Sequence, residues 1–457
     1  MLTVEKIGGT SMSALKDVIE NIIYHDRTGD KLYNRVFVVS AFSGVTNLLL
    51  ENKKTKAPGV YHRLANNEDY HDAVDEITSH LKGLNKLYRP LGLDLPAANA
   101  FIEQHITKAL SYLESATTML ASGYLNEGVL LAAREILASI GETHSAFVLA
   151  NILQHKGLDA KFIDLAGFDD RRSLTISERI ADAFSTIDLK SCICIVTGYA
   201  KGTEGIMREF DRGYSEVTFS KIAELLKPDE AIIHKEYHLS TADPAIAGVD
   251  NVRPVGNTNY DIADQLADVG MEAIHPKASK PLEIAGVSLR IKNTFEPSHP
   301  GTLISKGYVS KVKRVEVITG TDQQLLIDVY DPLMTGNVGS DLQIMQIFAK
   351  HQVSYTYKTT SANSISTVIW ESDFTPQLII DLEQKFEKVS VEPIAMVCLL
   401  GTNMDQPGLL AKAASALAKA EINIISSGFA QRKVNIQFVV AREQFRLAIL
   451  ALNQALG

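Results

Sequence analysis

A lysine, two glycines and two hydroxyl residues open the chain in an order that suits phosphate binding. Lys6 ends a short apolar run, Gly8 and Gly9 follow it, and Thr10 and Ser11 lead into a helical stretch. Glycines let backbone N–H groups approach an anion, a helix N-terminus adds favourable partial charge, and a lysine can neutralise a transferred phosphoryl group. A plain strand-to-helix turn has the same spacing, so both interpretations stay open on these residues alone.

Two further stretches carry residues that could hold a small polar substrate. The loop from Ser40 to Asn47 follows the next apolar run and contributes the hydroxyls of Ser40 and Thr46, although a capped turn would look the same. Glu142 follows a glycine, and taken alone it would be one solvated charge among 54 acidic residues. Both stretches therefore remain ambiguous without further information.

The elements that must position these residues follow an α/β pattern. Leu2 to Ile7 and Val36 to Ser40 predict strands, each followed by a helix, and Tyr61 to Ser122 has helical spacing without a strand-like run. Strand-like runs return at Lys161 to Leu165, Cys192 to Thr197, Ala231 to His234 and Ser288 to Lys292. The pattern predicts a three-layer αβα unit with a mainly parallel sheet.

A second type of organisation follows the Pro- and Gly-rich stretch Glu296 to Gly301, which predicts a domain edge near residue 306. Residues 322–391 predict the order βαββαβ, and the order recurs from residue 392 but ends one strand short. We expect Arg314 to Thr319 to supply that strand. The prediction is therefore a catalytic domain over 1–306, a ferredoxin-like module over 322–391, and a second module built from 307–321 and 392–457.

Composition excludes several classes of function. A chain of 457 residues is too long for one ordinary core, and a formal charge of -9 gives no electrostatic footprint for nucleic acid. No unbroken apolar run reaches about 18 residues, and Met1 to Gly9 does not read as a signal segment, so we expect a cytoplasmic protein without a membrane partner. Cys192 and Cys194 alternate along a predicted strand, which favours buried thiols over metal ligands.

Together, these motifs resemble those of aspartate kinases, which combine an amino-acid kinase (carbamate kinase-like) domain with two C-terminal ACT domains. Lys6 to Ser11 resembles their opening Lys-Phe-Gly-Gly-Thr-Ser, and the other matches occur in the same order along the whole chain. They are Ser40 to Asn47, Gly141-Glu142, Asp211 to Glu216, Thr241 to Pro244, His275-Pro276 and Asp405 to Leu410. The stretches Arg208 to Glu216 and His234 to Ser240 resemble most closely the divergent branch associated with ectoine biosynthesis.

The resemblance implies a role for each matching residue. Lys6 is expected to be catalytic and to stabilise charge on the transferred phosphoryl group. The residues implied to bind ATP and its phosphates are Lys6, Gly8, Gly9, Ser11, Lys235, Ser240, Asp243 and Glu272. The residues implied to bind aspartate are Ser40, Thr46, Glu142, Arg212, Gly213, Ser215 and Glu216. Glu142 would receive the α-ammonium group, and Arg212 would fork onto the α-carboxylate, a geometry that a lysine cannot supply.

Several positions depart from the family pattern. Tyr214 stands for a glycine and Glu216 for an aspartate in the substrate loop. In the nucleotide region Ser240 replaces a tyrosine, while Lys235 and Glu272 replace an aspartate and a lysine, so that both signs are reversed. If the reversal is compensation rather than coincidence, Lys235 and Glu272 should lie within about 10 Å of each other, roughly one Debye length.

The ACT modules suggest regulation and assembly. The loop before the first module's helix is a candidate effector site, although a structural hairpin is the alternative; its residues are Met334, Gly336, Val338, Gly339, Ser340 and Asp341. Thr356 aligns with the aspartate that takes lysine in lysine-sensitive relatives, which argues against inhibition by lysine. We expect a homodimer or higher homo-oligomer formed through these modules, because four-stranded sheets leave edges to cover.

The implied reaction is the transfer of phosphate from ATP to the side-chain carboxylate of L-aspartate, giving 4-phospho-L-aspartate for lysine, threonine or ectoine synthesis. Magnesium would arrive with ATP, because the motifs supply no dedicated metal site. One alternative is a kinase acting on another carboxylate such as glutamate or carbamate. The other is a degenerate kinase that binds an amino acid as a regulatory subunit, suggested by the altered nucleotide region.

Overall fold

Two compact units make up the chain in a computed structural model that describes residues 1–53, 55–123, 126–210, 213–271, 274–429 and 431–457. The first unit comprises residues 1–238 and 274–306, and the second comprises 239–273 and 307–457. The second unit thus contains a 35-residue stretch that sequence analysis assigned to the catalytic domain, between Leu239 and Ala273.

The strands alternate with helices in the first part of the chain and cluster in the last part. The strands are β1 (Thr3–Ile7), β2 (Arg35–Val39), β3 (Ala160–Ile163), β4 (Ile193–Thr197), β5 (Glu230–Lys235), β6 (Asn257–Thr258), β7 (Leu289–Asn293), β8 (Thr302–Ile304), β9 (Val317–Tyr330), β10 (Tyr357–Thr360), β11 (Ser364–Trp370), β12 (Lys388–Leu400), β13 (Ser426–Phe429) and β14 (Asn435–Ala441).

The helices range from one turn to thirty residues. They are α1 (Gly9–Ser13), α2 (Leu15–Asp17), α3 (Val45–Leu49), α4 (Val60–Ala65), α5 (His71–Tyr88), α6 (Leu95–Ala121), α7 (Asn126–His155), α8 (Ile176–Phe184), α9 (Ile206–Glu209), α10 (Tyr214–Leu226), α11 (Pro244–Ala247), α12 (Tyr260–Ala267), α13 (Pro276–Ala285), α14 (Ser340–Lys350), α15 (Pro376–Glu383), α16 (Leu409–Lys419) and α17 (Phe445–Leu456). A π-helical segment, Val18–Tyr24, continues α2.

The sheet of the first unit has the order β3-β4-β2-β1-β5-β7-β8, and only β8 runs antiparallel to its neighbour. Strands β2 and β4 are buried along their whole length, as expected for apolar runs covered by helices on both faces. Helices α7 and α10 pack against these central strands. The predicted αβα class with a mainly parallel sheet is confirmed.

One helix among the described residues is long and apolar enough to cross a membrane by length and composition alone. It spans Glu127–His155, and 83% of its most apolar window is buried inside the fold. Polar residues such as Glu142 and His144 interrupt it, which is why a criterion of unbroken apolar length does not single it out. It is the core helix α7, and it carries a site residue described below.

The sheet of the second unit has the order β10-β11-β9-β12-β14-β13. The long strands β9 and β12 each serve two modules, because residues 324–330 of β9 pair with β11 while residues 317–321 pair with the far half of β12. Each half of the sheet therefore has the ferredoxin-like order predicted from the sequence. Two separate cores lie beneath it, one around Phe348 and one around Phe438.

Two strand bounds differ from what the apolar pattern predicts. Strand β9 begins at Val317 rather than at Arg314, and it continues without a break through the first strand of residues 322–391 to Tyr330. The stretch Ile422 to Ser426 also has the pattern of a strand, but β13 begins only at Ser426. Apolar pattern alone marks where side chains are buried, and it does not mark where backbone pairing starts.

Gly320 makes the double-module strand β9 possible, and its replacement should destabilise the second unit. A Cβ atom at Gly320 would lie 2.2 Å from the carbonyl oxygen of Met396, close to the register shift between β9 and β12. We expect Gly320→Ala to cost about 1–3 kcal/mol of unfolding free energy, as overpacked cores do. Gly256→Ala in the same unit meets open space and is the matched control. Equal urea midpoints for the two variants would contradict this account.

Candidate active site

Lys6, the residue before the last of strand β1, forms a largely buried ion pair with Glu216 in the first turn of α10. Its Nζ atom lies 3.2 Å from Glu216 Oε1, and the two side chains are only 12% and 11% exposed. The backbone N–H of His275, at the start of α13, donates to Glu216 Oε2 at 2.7 Å. Burial alone would raise the pKa of Glu216, but the positive charges of Lys6 and Lys235 and the His275 amide hold it below its usual value. Glu216 is therefore an anion that positions Lys6.

A chain of hydrogen bonds runs beside this pair. The Ser40 hydroxyl, just after β2, donates to Ser215 Oγ at 3.0 Å, and Ser215 donates to Glu142 Oε1 at 2.5 Å. The Ser145 hydroxyl donates to the carbonyl oxygen of Ser40 at 2.8 Å and fixes the loop on α7. Three segments far apart in sequence thus present two hydroxyls and one carboxyl group at one place.

Glu142 is buried with one oxygen unused. Its Oε2 atom has no hydrogen-bond partner in the part of the chain that the structure describes. Burial raises the pKa of Glu142 to about 8, although the Ser215 hydroxyl, the Lys6 charge and the nearby Ala41 backbone N–H act in the opposite direction. A Cβ atom at position 198 would lie 2.7 Å from that oxygen, so Gly198 keeps the space beside it. A buried carboxyl group with a vacant oxygen is suited to receive a cationic donor.

The glycine loop after β1 has a carboxylate of the protein bound to it. Glu236, which follows β5, accepts hydrogen bonds from the backbone N–H and the hydroxyl of Ser11, both at 3.0 Å. Thr294, which follows β7, donates to the Ser11 hydroxyl at 3.0 Å. Ser11, one of the residues predicted to bind phosphate, therefore binds a carboxylate of the same unit, while the Gly8 N–H donates to the carbonyl oxygen of His234 at 3.5 Å.

Close backbone approach explains Gly9 of this loop but not Gly8. A Cβ atom at Gly9 would lie 2.6 Å from the carbonyl oxygen of Ala41, because the loops after the parallel neighbours β1 and β2 meet at one edge of the sheet. The Ser13 hydroxyl accepts from the Ser43 backbone N–H at 2.8 Å and ties the two loops together. Gly8 has only ordinary contacts at its Cβ position, the nearest being Glu236 Oε1 at 3.7 Å.

The predicted site residues separate into three groups. Those within the first unit gather around the ends of β1, β2 and β5, with Thr46 on α3 and Gly213 at the N-terminus of α10 in a left-handed conformation. Ser240 and Asp243 belong to the second unit, where Asp243 caps α11 by accepting from the Ala245 N–H. Arg212 and Glu272 lie outside the described residues, so their predicted roles and the predicted proximity of Lys235 to Glu272 remain predictions.

Sequence analysis missed Glu236, Thr294 and the His275 amide as neighbours of the site. All three follow strands or begin helices on the same edge of the sheet as Lys6. The sequence signal for Glu236 was a carboxylate directly after Lys235, at a predicted strand end. Which loop Glu236 meets depends on the order of the strands in the sheet, and the sequence pattern does not specify that order.

The candidate effector loop lies in the ferredoxin-like module of residues 322–391. Gly336 and Gly339 have φ angles of +83° and +99°, and Ser340 begins α14. Asp341 in the first turn of α14 forms an ion pair with Lys358 on β10, with Nζ 2.9 Å from both carboxylate oxygens. The remaining residues of the loop differ in exposure, since Met334 packs partly against the module core while Val338 is fully exposed.

Comparison with known proteins agrees with this architecture. The profile of the amino acid kinase family matches residues 1–293, and an ACT domain profile matches residues 397–456. The aspartate kinase Ask_Ect of Stutzerimonas stutzeri is 42% identical over 100% of this chain and 97% of its own length. Crystal structures of E. coli aspartokinase III with aspartate and ADP and of Clostridium acetobutylicum aspartate kinase share the fold, with TM-scores of 0.75 and 0.74.

Those two structures are 19% and 22% identical to this chain, cover 100% of it, and are matched over 99% and 100% of their own lengths. Their likeness therefore concerns the fold, whereas the family assignment depends on the profile match to residues 1–293 and on the full-length relative at 42% identity. The chain belongs to the amino acid kinase family, within its aspartate kinase branch.

Proposed function

We propose that this chain is an aspartate kinase that transfers the terminal phosphate of ATP to the side-chain carboxylate of L-aspartate. The observation that carries the proposal is the buried Glu142 carboxyl group beside the Lys6 and Glu216 pair. Its Oε1 atom accepts from the end of a hydroxyl chain, and its Oε2 atom has no hydrogen-bond partner among the described residues. The full-length relative named as an aspartate kinase supports the choice of substrate. The product is an acyl phosphate, 4-phospho-L-aspartate.

The substrate is gripped at its α-ammonium group by Glu142. Ionised Glu142 supplies the negative charge, while Ser215 and Ser40 orient it and offer further hydroxyl contacts. Arg212 would fork onto the α-carboxylate, an assignment that comes from the motif alone. A site built in this way prefers an amino acid with a second carboxylate over a simple dicarboxylate, because a missing ammonium group leaves a buried carboxyl group unpaired.

Transfer needs positioning and charge rather than a base. A side-chain carboxylate is already ionised near neutral pH and can attack phosphorus directly. Lys6 neutralises the negative charge that develops on the phosphoryl oxygens, and Gly8, Gly9 and Ser11 hold the phosphates through backbone N–H groups and a hydroxyl. Glu216 keeps the ammonium group of Lys6 in place before ATP arrives.

Magnesium accompanies ATP as its phosphate complex. The structure has no group of three or more His, Cys, Asp or Glu side chains that could hold a metal ion within its described residues. Carboxylate and hydroxyl oxygens suit this ion, and Glu236 and Ser11 supply both beside the phosphate loop. When bound, the ion would neutralise phosphate charge, held mainly by phosphate oxygens and water with Glu236 as the protein ligand.

The remaining assignments extend the proposal to the whole chain. Residues 1–306 form the catalytic domain, 322–391 the inserted ACT module, and 307–321 with 392–457 the second module. Amino-acid binding at the loop 334–341 would regulate activity, with a homodimer formed through the modules in the cytoplasm. Lys358 neutralises Asp341 in that loop, which leaves less negative charge for a cationic effector such as lysine.

A coupled assay decides between this function and its alternatives. The ATP-dependent formation of acyl hydroxamate is measured with aspartate, glutamate or carbamate as the acceptor, each with and without lysine and threonine. Turnover with glutamate or carbamate but not aspartate would identify another carboxylate kinase. Binding of aspartate without turnover would instead identify a regulatory subunit.

Lys6→Met should remove most phosphoryl transfer while leaving the fold intact. Loss of a preorganised charge at the developing negative charge costs about 3 kcal/mol or more, which is a loss in kcat of at least about a hundredfold. Lys16→Met, an exposed lysine in the neighbouring helix, is the matched control. Circular dichroism checks folding, and activity of Lys6→Met within tenfold of the control would refute the role.

Aspartate binding should strengthen as pH rises from 6.5 to 8. Because the pKa of Glu142 is raised to about 8, the carboxyl group is mostly protonated below that pH and must lose its proton to pair with an ammonium group. Affinity should fall by up to about tenfold per pH unit below 8, with a proton released on binding. Calorimetry in buffers of different ionisation enthalpy measures that release.

The control for this pH dependence is Glu142→Gln, which keeps a hydrogen-bond acceptor for Ser215 but cannot ionise. We expect weaker aspartate binding by this variant and no release of a proton at neutral pH. If wild type and Glu142→Gln show the same slope of affinity against pH, another group controls binding.

Glu236→Ala should strengthen the binding of magnesium-free ADP. In the absence of ligand, Glu236 occupies the donors of Ser11 that a phosphate needs, so nucleotide must displace a carboxylate and then tolerate its charge. Removing these two competing charge-assisted hydrogen bonds corresponds to about tenfold tighter binding or more. The measurement is calorimetric titration in EDTA, with Glu20→Ala as an exposed control; unchanged or weaker binding would contradict it.

A further inference from the structure

A cavity in the first unit opens on the sheet face opposite Lys6. Successive residues of a strand point to opposite faces, so Glu5 faces this cavity while Lys6 faces the phosphate loop. The cavity has a volume of about 490 Å³ and lies between the ends of β5 and β7 and the π-helical segment. Among the described residues, none that is proposed to bind ATP or aspartate lines it. A volume of this size is typical of small-molecule sites.

The acidic side chains of the cavity wall are already neutralised. Arg35 donates to Glu5 Oε1 at 2.7 Å, and His234 lies 2.8 Å from Glu5 Oε2. Arg290 forms a fork onto Glu230, with its closest contact at 2.7 Å. Asp26 is 89% exposed at the rim. The negative groups therefore have partners or point to solvent.

Two cations of the wall differ from these because, among the described residues, no carboxylate lies within ion-pair distance of them. The hydrogen bonds that they donate within this part of the chain go to carbonyl oxygens, from Arg27 to Ile22 at 3.3 Å and from Lys292 to Pro297 at 2.9 Å. Both side chains are half-buried, and they come from different parts of the chain. A loop and a strand thus hold two positive charges against one cavity, each with a neutral partner.

The positive charges of Arg27 and Lys292 also repel each other. Burial and the Arg27 guanidinium lower the pKa of Lys292, and burial and Arg35 lower that of Arg27, while the carboxylates of Glu5, Asp26 and Glu230 partly oppose these shifts. Placing like charges together in a partly desolvated cavity costs free energy that a bound anion would return. Because Arg35 pairs with Glu5 and Arg290 pairs with Glu230, Arg27 and Lys292 are left with only longer-range attraction to the carboxylates of this wall.

We propose that this cavity is a second anion site that binds a small phosphate-bearing molecule between Arg27 and Lys292. A guanidinium fork and an ammonium point charge together match the oxygens of a phosphate group. The Asn21 side chain, at the cavity wall, and the half-open volume leave room for the rest of such a molecule. The site lies on the other face of the sheet from the proposed aspartate and ATP sites and does not depend on that function.

Pyrophosphate binding to the full chain tests this assignment. Titrations are performed by calorimetry without magnesium and at constant ionic strength, in a Lys6→Gln background that weakens the phosphate loop. One pyrophosphate should bind this background. Adding Arg27→Gln and Lys292→Gln should weaken that binding by about tenfold or more, the effect of losing hydrogen bonds from charged donors.

The matched control replaces two lysines outside the cavity, Lys16→Gln and Lys31→Gln, and removes the same net charge. It should bind pyrophosphate as the background does. If Arg27→Gln with Lys292→Gln fails to fold, Arg27→Gln alone carries the test, because that side chain makes one long hydrogen bond. Absence of binding to the Lys6→Gln background, or equal weakening by the control pair, would overturn the proposal.

Discussion

A buried positive charge at the end of β1 needs a counter-charge before any ligand is bound, and the active-site edge of the sheet is organised around that need. A half-buried or buried ion pair is tolerated only when its remaining donors and acceptors are satisfied. Glu216 meets the condition by pairing with Lys6 and accepting from the His275 amide. The requirement ties the first turns of α10 and α13 to β1. Ser215, the residue before Glu216, is thereby brought to Ser40 and Glu142.

The same edge of the sheet carries protein anions where substrate anions are expected. Glu216 lies against Lys6, and Glu236 lies against Ser11. Internal carboxylates satisfy donors that would otherwise be unpaired, so the glycine loop can keep its shape without nucleotide. A phosphate bound at Ser11 as proposed would have to displace Glu236. The affinity for nucleotide would then reflect the difference between two anions rather than the strength of one contact.

The parts of the structure that sequence could predict are those that depend on local pattern. Strand and helix alternation, the glycine loop and the interleaved sensor strands follow from side-chain periodicity and from motif order, and all appear in the structure. Glu236 and Thr294 could not be placed, because their proximity to Ser11 depends on β1, β5 and β7 being neighbours. The raised pKa of Glu142 could not be predicted from the sequence either, since it results from burial by parts of the chain distant in sequence.

Strand alternation links the two charged faces of the first unit. Lys6 and Glu5 are adjacent residues of β1, and each is buried with an opposite charge on its own face, Glu216 for one and Arg35 for the other. A parallel sheet covered by helices usually carries apolar side chains on both faces. Charges on the face behind Lys6 are not needed to balance it, because Glu216 does so. Arg27 and Lys292 lie outside ion-pair distance of every carboxylate in the described part of the chain, and their presence supports the proposed anion site on that face.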